Sequence, residues 1–245
     1  MSTRFYVPGT WPETIELTGP EAHHLGRVMR AAPGDVIEIF DGQGRASAAV
    51  VESVQKRSVT IRCLPPGKHS PPPHCEVVLA VAVPKGERLS WMIEKVTELG
   101  VDRLVPLSTV RSVVLPSDQK LHKAEQTVIA ACKQSGRDRE LIVEPVCALS
   151  SLFEREEFRS ALTFLGAPGS EQHTTDFQKK SCDVKMLLAV IGPEGGLTEE
   201  EVIFLLSQGA HPVSLSPYTL RVETAAVAFA TWLEFLRPVP LTVEL

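Results

Sequence analysis

Paired cysteines, metal-ligand spacing, a long apolar run and a phosphate-binding glycine fingerprint are all missing from this 245-residue chain. The five cysteines, Cys63, Cys75, Cys132, Cys147 and Cys182, are odd in number and include no CxxC pair, which argues against a disulfide framework and a zinc site. They read as small buried hydrophobes in a reducing compartment. His23, His69 and His74 lack the spacing of metal ligands, so no metal is expected. The densest apolar stretch, residues 224–233, is followed at once by Glu234 and is too short to cross a bilayer. The first residues lack the apolar segment of a signal peptide, so the expectation is a cytoplasmic protein with no membrane contact.

What is present is an ordinary folded composition. Hydrophobic residues make up 43% and charged residues 22%, which leaves no case for disorder, collagen or a coiled coil. The net charge of −5 is uneven: residues 1–72 carry eight Lys/Arg against seven Asp/Glu, and the remainder carries 17 against 23. That balance does not exclude a nucleic-acid partner, because only the local patch matters within a Debye length of about 8 Å.

Residues 65–75 hold five prolines and form an extended connector, which places one domain at residues 1–70 and another at 74–245. Before the connector, short β-rich runs dominate at residues 4–7, 14–17, 35–40, 46–51 and 58–63, with Asp41-Gly-Gln-Gly44 as a hairpin turn. A helix is predicted over residues 21–30, ended by Pro33-Gly34. The sum is a small β-barrel with one helix. After the connector, strands predicted at residues 77–83, 101–107, 161–165, 186–191 and 212–216 alternate with helices. Leu89, Met92, Ile93, Val96 and Leu99 have helical spacing with Gly100 as the stop, and further helices read at residues 120–134, 199–208 and 224–236. Such alternation predicts an α/β fold with a largely parallel sheet, whose ligand site lies beyond the carboxyl ends of its strands.

One strand exit carries Gly192-Pro-Glu-Gly-Gly196, then Thr198 and Glu201 in the spacing of a capping box. The loop is neither a Walker A sequence nor GxGxxG, and the acids at 199–201 repel a pyrophosphate. An uncharged or cationic ligand is expected there. A second exit carries Leu220-Arg-Val-Glu-Thr-Ala225, where Arg221 and Glu223 read either as a solvated pair or as groups that orient a ligand.

These two segments, together with Trp91-Met-Ile-Glu-Lys-Val-Thr-Glu-Leu-Gly-Val101, Arg111-Ser-Val113, Lys133-Gln-Ser-Gly-Arg137 and His24-Leu-Gly-Arg-Val-Met-Arg30, resemble the RsmE-type uridine-N3 methyltransferases of small-subunit (16S) ribosomal RNA. The resemblance spans essentially the whole chain. It implies a SPOUT-type knotted parallel-sheet catalytic domain with a C-terminal trefoil knot, preceded by a PUA-like RNA-binding β-barrel. It also implies S-adenosyl-L-methionine as cofactor, ribosomal RNA or the assembled small subunit as partner, and a homodimer through the apolar last helix.

The family's three cofactor loops map to Leu165 and Gly166; to Ile191, Gly192, Pro193, Glu194, Gly195 and Gly196; and to Leu215, Ser216, Leu220, Thr224 and Ala225. Uridine N3 carries a proton that must leave before the nitrogen attacks, so a base or a cation is required. Arg221 is the candidate to hold the developing oxyanion, and Glu223 or Glu194 to take the proton, with the sequence not choosing between them. Glu223 reads equally well as a cap of the last helix. Arg4, His24, Arg27, Arg30, Arg111 and Arg137 are the candidate RNA contacts, and the amphipathic helix at Glu94, Lys95 and Glu98 reads as scaffold. Lys133 departs from the family's usual glutamate, and Tyr218 and Val222 lie where the third loop varies. The alternatives are a SPOUT enzyme acting on another RNA, at a base or ribose, and a silent RNA-binding assembly factor.

Overall fold

The computed structural model describes residues 3–65, 67–112, 118–170, 177, 180–181 and 183–238, with backbone alone for 118–122; Val113 and Cys182 of the sequence reading lie outside this set. Two compact units form, one of residues 1–72 with 129–140, the other of residues 73–128 with 141–245. The proline-rich connector therefore marks one crossing of the chain between units, and residues 129–140 join the first unit from far along the sequence.

The first unit contains β1 (Arg4–Tyr6), β2 (Thr14–Thr18), α1 (Gly19–His23), β3 (Val36–Phe40), β4 (Arg45–Val54), β5 (Ser58–Cys63) and β6 (Lys68–His69). Its sheet runs β1-β3-β4-β5-β2, with β6 also on β4. A register shift between Val51 and Ser53 bends β4, as a bulge does. Alternate residues face inward, so Phe5, Ile39, Ala49 and Ile61 close on Leu25 in a fully buried core. Gly42 and Gly44, at φ of +77° and +105°, make the turn between β3 and β4.

The predicted helix over residues 21–30 is not a plain α-helix. After α1 it widens into a π-helical turn, His24–Val28, with the Met29 amide donating to the His24 carbonyl at 2.9 Å. The His24 ring packs edge-on against Phe5 at 5.8 Å, while Arg27 and Arg30 are exposed. Arg30 has φ of +55°, the one non-glycine residue in the left-handed region among the described residues.

The second unit contains β7 (Glu76–Ala82), α2 (Arg88–Glu98), β8 (Arg103–Ser108), α3 (Asp118–Ser135), β9 (Ile142–Val143), β10 (Cys147–Ala148), a 3₁₀ turn (Leu149–Glu154), α4 (Glu156–Arg159), β11 (Leu162–Gly166), β12 (Met186–Ile191), α5 (Glu199–Ser207), β13 (His211–Val213) and α6 (Val222–Leu236). The last residues of α3 belong to the first unit. The sheet order is β10-β8-β7-β12-β11-β13, with β9 also on β8, and its pairings are parallel.

Central β12 is buried along all six residues, which is why it reads as an unbroken apolar run. One sheet face, through Val78, Ala80, Leu188 and Val190, packs on Leu152, Phe158 and Leu205. Helices α2 and α6 pack on each other, and α6 lies against β7 and β12. Gly100 does end α2: its φ is +91°, and a Cβ there would sit 2.5 Å from Glu234 Oε1.

Two boundaries move. The strand predicted at 212–216 stops at Val213, and the last helix begins at Val222, which brings Glu223 into its first turn. Among the described residues, Cys63, Cys75, Cys132 and Cys147 are free, and burial pushes the Cys75 thiol up to about 11. No helix of the described residues is long and apolar enough to cross a membrane, and no group of three or more His, Cys, Asp and Glu side chains among them is arranged to hold a metal ion.

Candidate active site

The carboxyl ends of β11, β12 and β13 open on a cavity of about 360 Å³. Leu165 and Gly166 come from β11, Ile191, Gly192, Pro193, Glu194 and Gly196 from the β12 exit, and Leu215, Ser216 and Leu220 from the segment before α6. The floor is Val222, Ala225 and Phe229, one face of α6. Among the lining residues Glu194 is the single carboxylate, and no Lys, Arg or His is present. Such a wall of backbone, hydroxyls and apolar side chains receives an aromatic base and tolerates a positive charge, but offers no cation to a phosphate.

The β12 exit loop is held from both sides. Thr198 Oγ1 accepts from the Glu201 amide at 3.2 Å while Glu201 Oε2 accepts from the Thr198 amide at 2.8 Å, completing the capping box. Glu201 Oε1 also accepts from the Val110 amide at 2.8 Å. Next in the chain, Arg111 Nη1 donates to the carbonyls of Gly195 at 2.9 Å and Leu197 at 3.2 Å. Arg111 thus acts as a latch on the glycine loop, a role absent from its reading as an RNA contact. Gly195, assigned to the cofactor by the family resemblance, is not among the lining residues, and a Cβ there would lie 3.7 Å from Arg111. Gly192 is the tight position: a Cβ there would lie 2.9 Å from Leu197 Cγ.

Thr224 is likewise not among the residues lining this cavity. With Arg221 and Glu223 it lines a second cavity of about 340 Å³, whose other walls are Glu87, Arg88 and Trp91 at the start of α2. Glu223 is 93% buried, and its Oε2 has no hydrogen-bond partner. Arg88 reaches both carboxylates, with Nε 3.7 Å from Glu223 Oε1 and Nη1 3.8 Å from Glu194 Oε1. Both distances exceed hydrogen-bond length, so the guanidinium sits between the acids without closing on either. Sequence reasoning missed Arg88 and Trp91 by treating α2 as scaffold. The available signal was position, since Arg88 follows the carboxyl end of β7, the neighbour of β12.

In the first unit Arg4, a candidate RNA contact from sequence, is enclosed. It is 5% exposed, pairs with Asp138 and Glu38, and donates at 3.0 Å to the carbonyls of Cys132 and Arg137. A guanidinium so enclosed holds residues 129–140 to the strands. Lys133 ties the same segment to α1, its Nζ 2.9 and 2.8 Å from the two Glu21 oxygens. Gln134 lies in the exposed last turn of α3, and Arg137 is half-buried.

A parallel sheet with a neutral cavity at its strand exits and a charged recess beside it defines an enzyme that moves a group from a neutral or cationic cofactor onto an ionisable acceptor. The model of the RNA methyltransferase domain matches residues 71–234, and that of the RNA methyltransferase PUA domain matches residues 17–63. The chain belongs to this RNA methyltransferase family. It is 33% identical over 220 residues to ribosomal RNA small subunit methyltransferase E of Bacillus subtilis, covering 86% of each chain. A methyltransferase of Legionella pneumophila, solved in complex with the cofactor SAM, superposes with a TM-score of 0.84 at 29% identity over 96% of this chain and 98% of that one. Ribosomal RNA small subunit methyltransferase E from Neisseria gonorrhoeae, bound to S-adenosyl methionine, gives 0.84 at 26% identity over 95% and 97%.

Proposed function

We propose that the protein uses S-adenosylmethionine to methylate N3 of a uridine in small-subunit ribosomal RNA. The observation that carries this is the pairing of a neutral cavity having Glu194 as its one carboxylate with a recess holding the buried Glu223. The cavity residues fit the cofactor: Leu165, Ile191, Leu220 and Phe229 supply apolar walls for adenine, and Glu194 supplies the negative charge a sulfonium favours. When bound, the cofactor supplies an electrophilic methyl group.

The protein's residues prepare the acceptor. Glu223 takes the N3 proton, and its burial keeps water from competing for that position. Arg221, the exposed residue that opens α6, stabilises the negative charge left on the uracil oxygens. Glu194 stays with the cofactor, which divides the roles that the sequence left open. N3 lies on the Watson–Crick edge, so the uridine must be unpaired or flipped out.

The exposed Arg27 and Arg30 of the barrel dock phosphates, joined by Lys56 and Arg57, which share a recess with Arg27. A cytoplasmic homodimer formed through α6, whose Phe235 is 73% exposed, and a C-terminal trefoil knot complete the reading.

The test is methyl transfer from labelled S-adenosylmethionine to unmodified small ribosomal subunits, with mass spectrometry of the nucleosides. A 3-methyluridine product supports the proposal. Methylation of a ribose, or none with cofactor bound, overturns it.

A further inference from the structure

We propose that the recess formed by Arg88, Trp91, Arg221 and Glu223 is the subsite for the acceptor base, with Trp91 stacking on the uracil face and the three charged groups reading its imide edge. This rests on the uridine-N3 reading above and adds to it the residues that select the base.

The recess has the features of a built site. It holds a carboxylate that is 93% buried with an oxygen lacking a hydrogen-bond partner. It is walled by an aromatic side chain that is 45% exposed, although α2 buries its other large apolar residues, Leu89, Met92 and Ile93. A tryptophan left open beside two arginines and a glutamate is poorly explained by packing, whereas a base needs a flat apolar face of this kind.

The charges match uracil. Its imide edge presents an oxygen acceptor, the N3–H donor and a second oxygen acceptor. Arg88 and Arg221 present guanidiniums, which only donate, and the buried Glu223 presents a carboxylate, which accepts; the second carboxylate of the lining, Glu87, is exposed to solvent. Cytosine has a lone pair at N3 and an amino group beside it, so it would set an acceptor against Glu223 and a donor against an arginine. On proton transfer the N3–H bond breaks, its electron pair stays on the ring, and the proton passes to Glu223. The ring charge spreads over both oxygens, where one guanidinium serves each.

Arg88 has a second use as a positioning residue. It lies 3.8 Å from Glu194 of the cofactor cavity and 3.7 Å from Glu223 of the recess, so one side chain ties the two sites at the first turn of α2. Small shifts of that turn would move Trp91 and Arg88 together, which couples base stacking to the placement of Glu223.

The experiment compares wild type, Trp91→Ala and Trp91→Phe in the full-length protein. Three readouts are taken: steady-state methylation of small subunits, calorimetric titration with S-adenosylmethionine, and ultraviolet crosslinking to small-subunit RNA carrying 5-iodouridine, mapped by mass spectrometry. Expected is a fall in kcat/KM of roughly tenfold to a hundredfold for alanine, recovery of most of it by phenylalanine, and unchanged cofactor affinity. The wild-type crosslink falls on Trp91. Wild-type kinetics in Trp91→Ala, or a crosslink elsewhere in the second unit, overturns the subsite and leaves the methyltransferase reading intact. A wild-type protein that methylates no uridine in these subunits overturns that reading, and this subsite with it.

Discussion

Two cavities share the first turns of α6 and differ in almost every chemical respect. The one beyond β11, β12 and β13 is lined by glycine, proline and aliphatic side chains with Glu194 as its single carboxylate; the other joins two arginines and two glutamates to a tryptophan. The helix separates them by periodicity alone. Val222, Ala225 and Phe229 face the neutral side, and Arg221, Glu223 and Thr224 the charged side. A neutral wall leaves a sulfonium electrophilic, while a charged one lowers the cost of ionising the acceptor, so separating them keeps each group from quenching the other's chemistry.

The largest expected effect comes from erasing the distinction. Phe229 is 3% exposed and forms the floor of the neutral cavity, so Phe229→Asp places a charge in the core and should cost at least about 4 kcal/mol, seen as loss of cooperative thermal unfolding. Next, Gly192→Val should weaken S-adenosylmethionine binding by roughly tenfold to a hundredfold in calorimetry, because its side chain meets Leu197. Gly195→Ala should leave that affinity unchanged, and a loss there would place Gly195 in the cavity after all.

Arg111→Ala separates a latch from an RNA contact. Removal of two exposed hydrogen bonds to the glycine loop should lower cofactor affinity about fivefold, with RNA affinity in a filter-binding assay staying the same. The reverse pattern would restore Arg111 to the RNA surface.

The smallest effect is a pH dependence behind the neutral cavity. His211 packs against Phe164 and Phe177, and burial, helped by the Lys180 charge, holds its pKa below the usual 6.5. The unfolded chain then binds the proton more readily, so stability is fully present above pH 6.5 and declines as pH falls through the lowered value. His211→Gln should flatten that part of the curve of melting temperature against pH.

Much of the fold was legible from residue order because its signals are local. The burial of β12, the helical spacing in α2 and the capping box from Thr198 to Glu201 each depend on neighbours within one turn or one strand. The candidate cofactor loops came from the family resemblance instead, and Gly166, Gly192 and Leu215 of those loops line the cavity at the exits of β11, β12 and β13. The division of the arginines was not legible. Arg4, Arg27, Arg30 and Arg111 look alike in sequence, yet Arg4 is sealed against Asp138 and Arg111 is spent on Gly195, 84 residues away.

Residue order alone settled most of the long strands and helices, where the glycine loop falls and that no phosphate fingerprint is present, because backbone preference and apolar period act over a few residues. Tertiary structure decided which cations face solvent, that Glu223 is buried beside Arg88, and that Thr224 lines the charged recess and not the neutral cavity. Those outcomes depend on charges and carbonyls brought together from strand exits far apart in the chain, where desolvation and pairing, and not local propensity, set the energy.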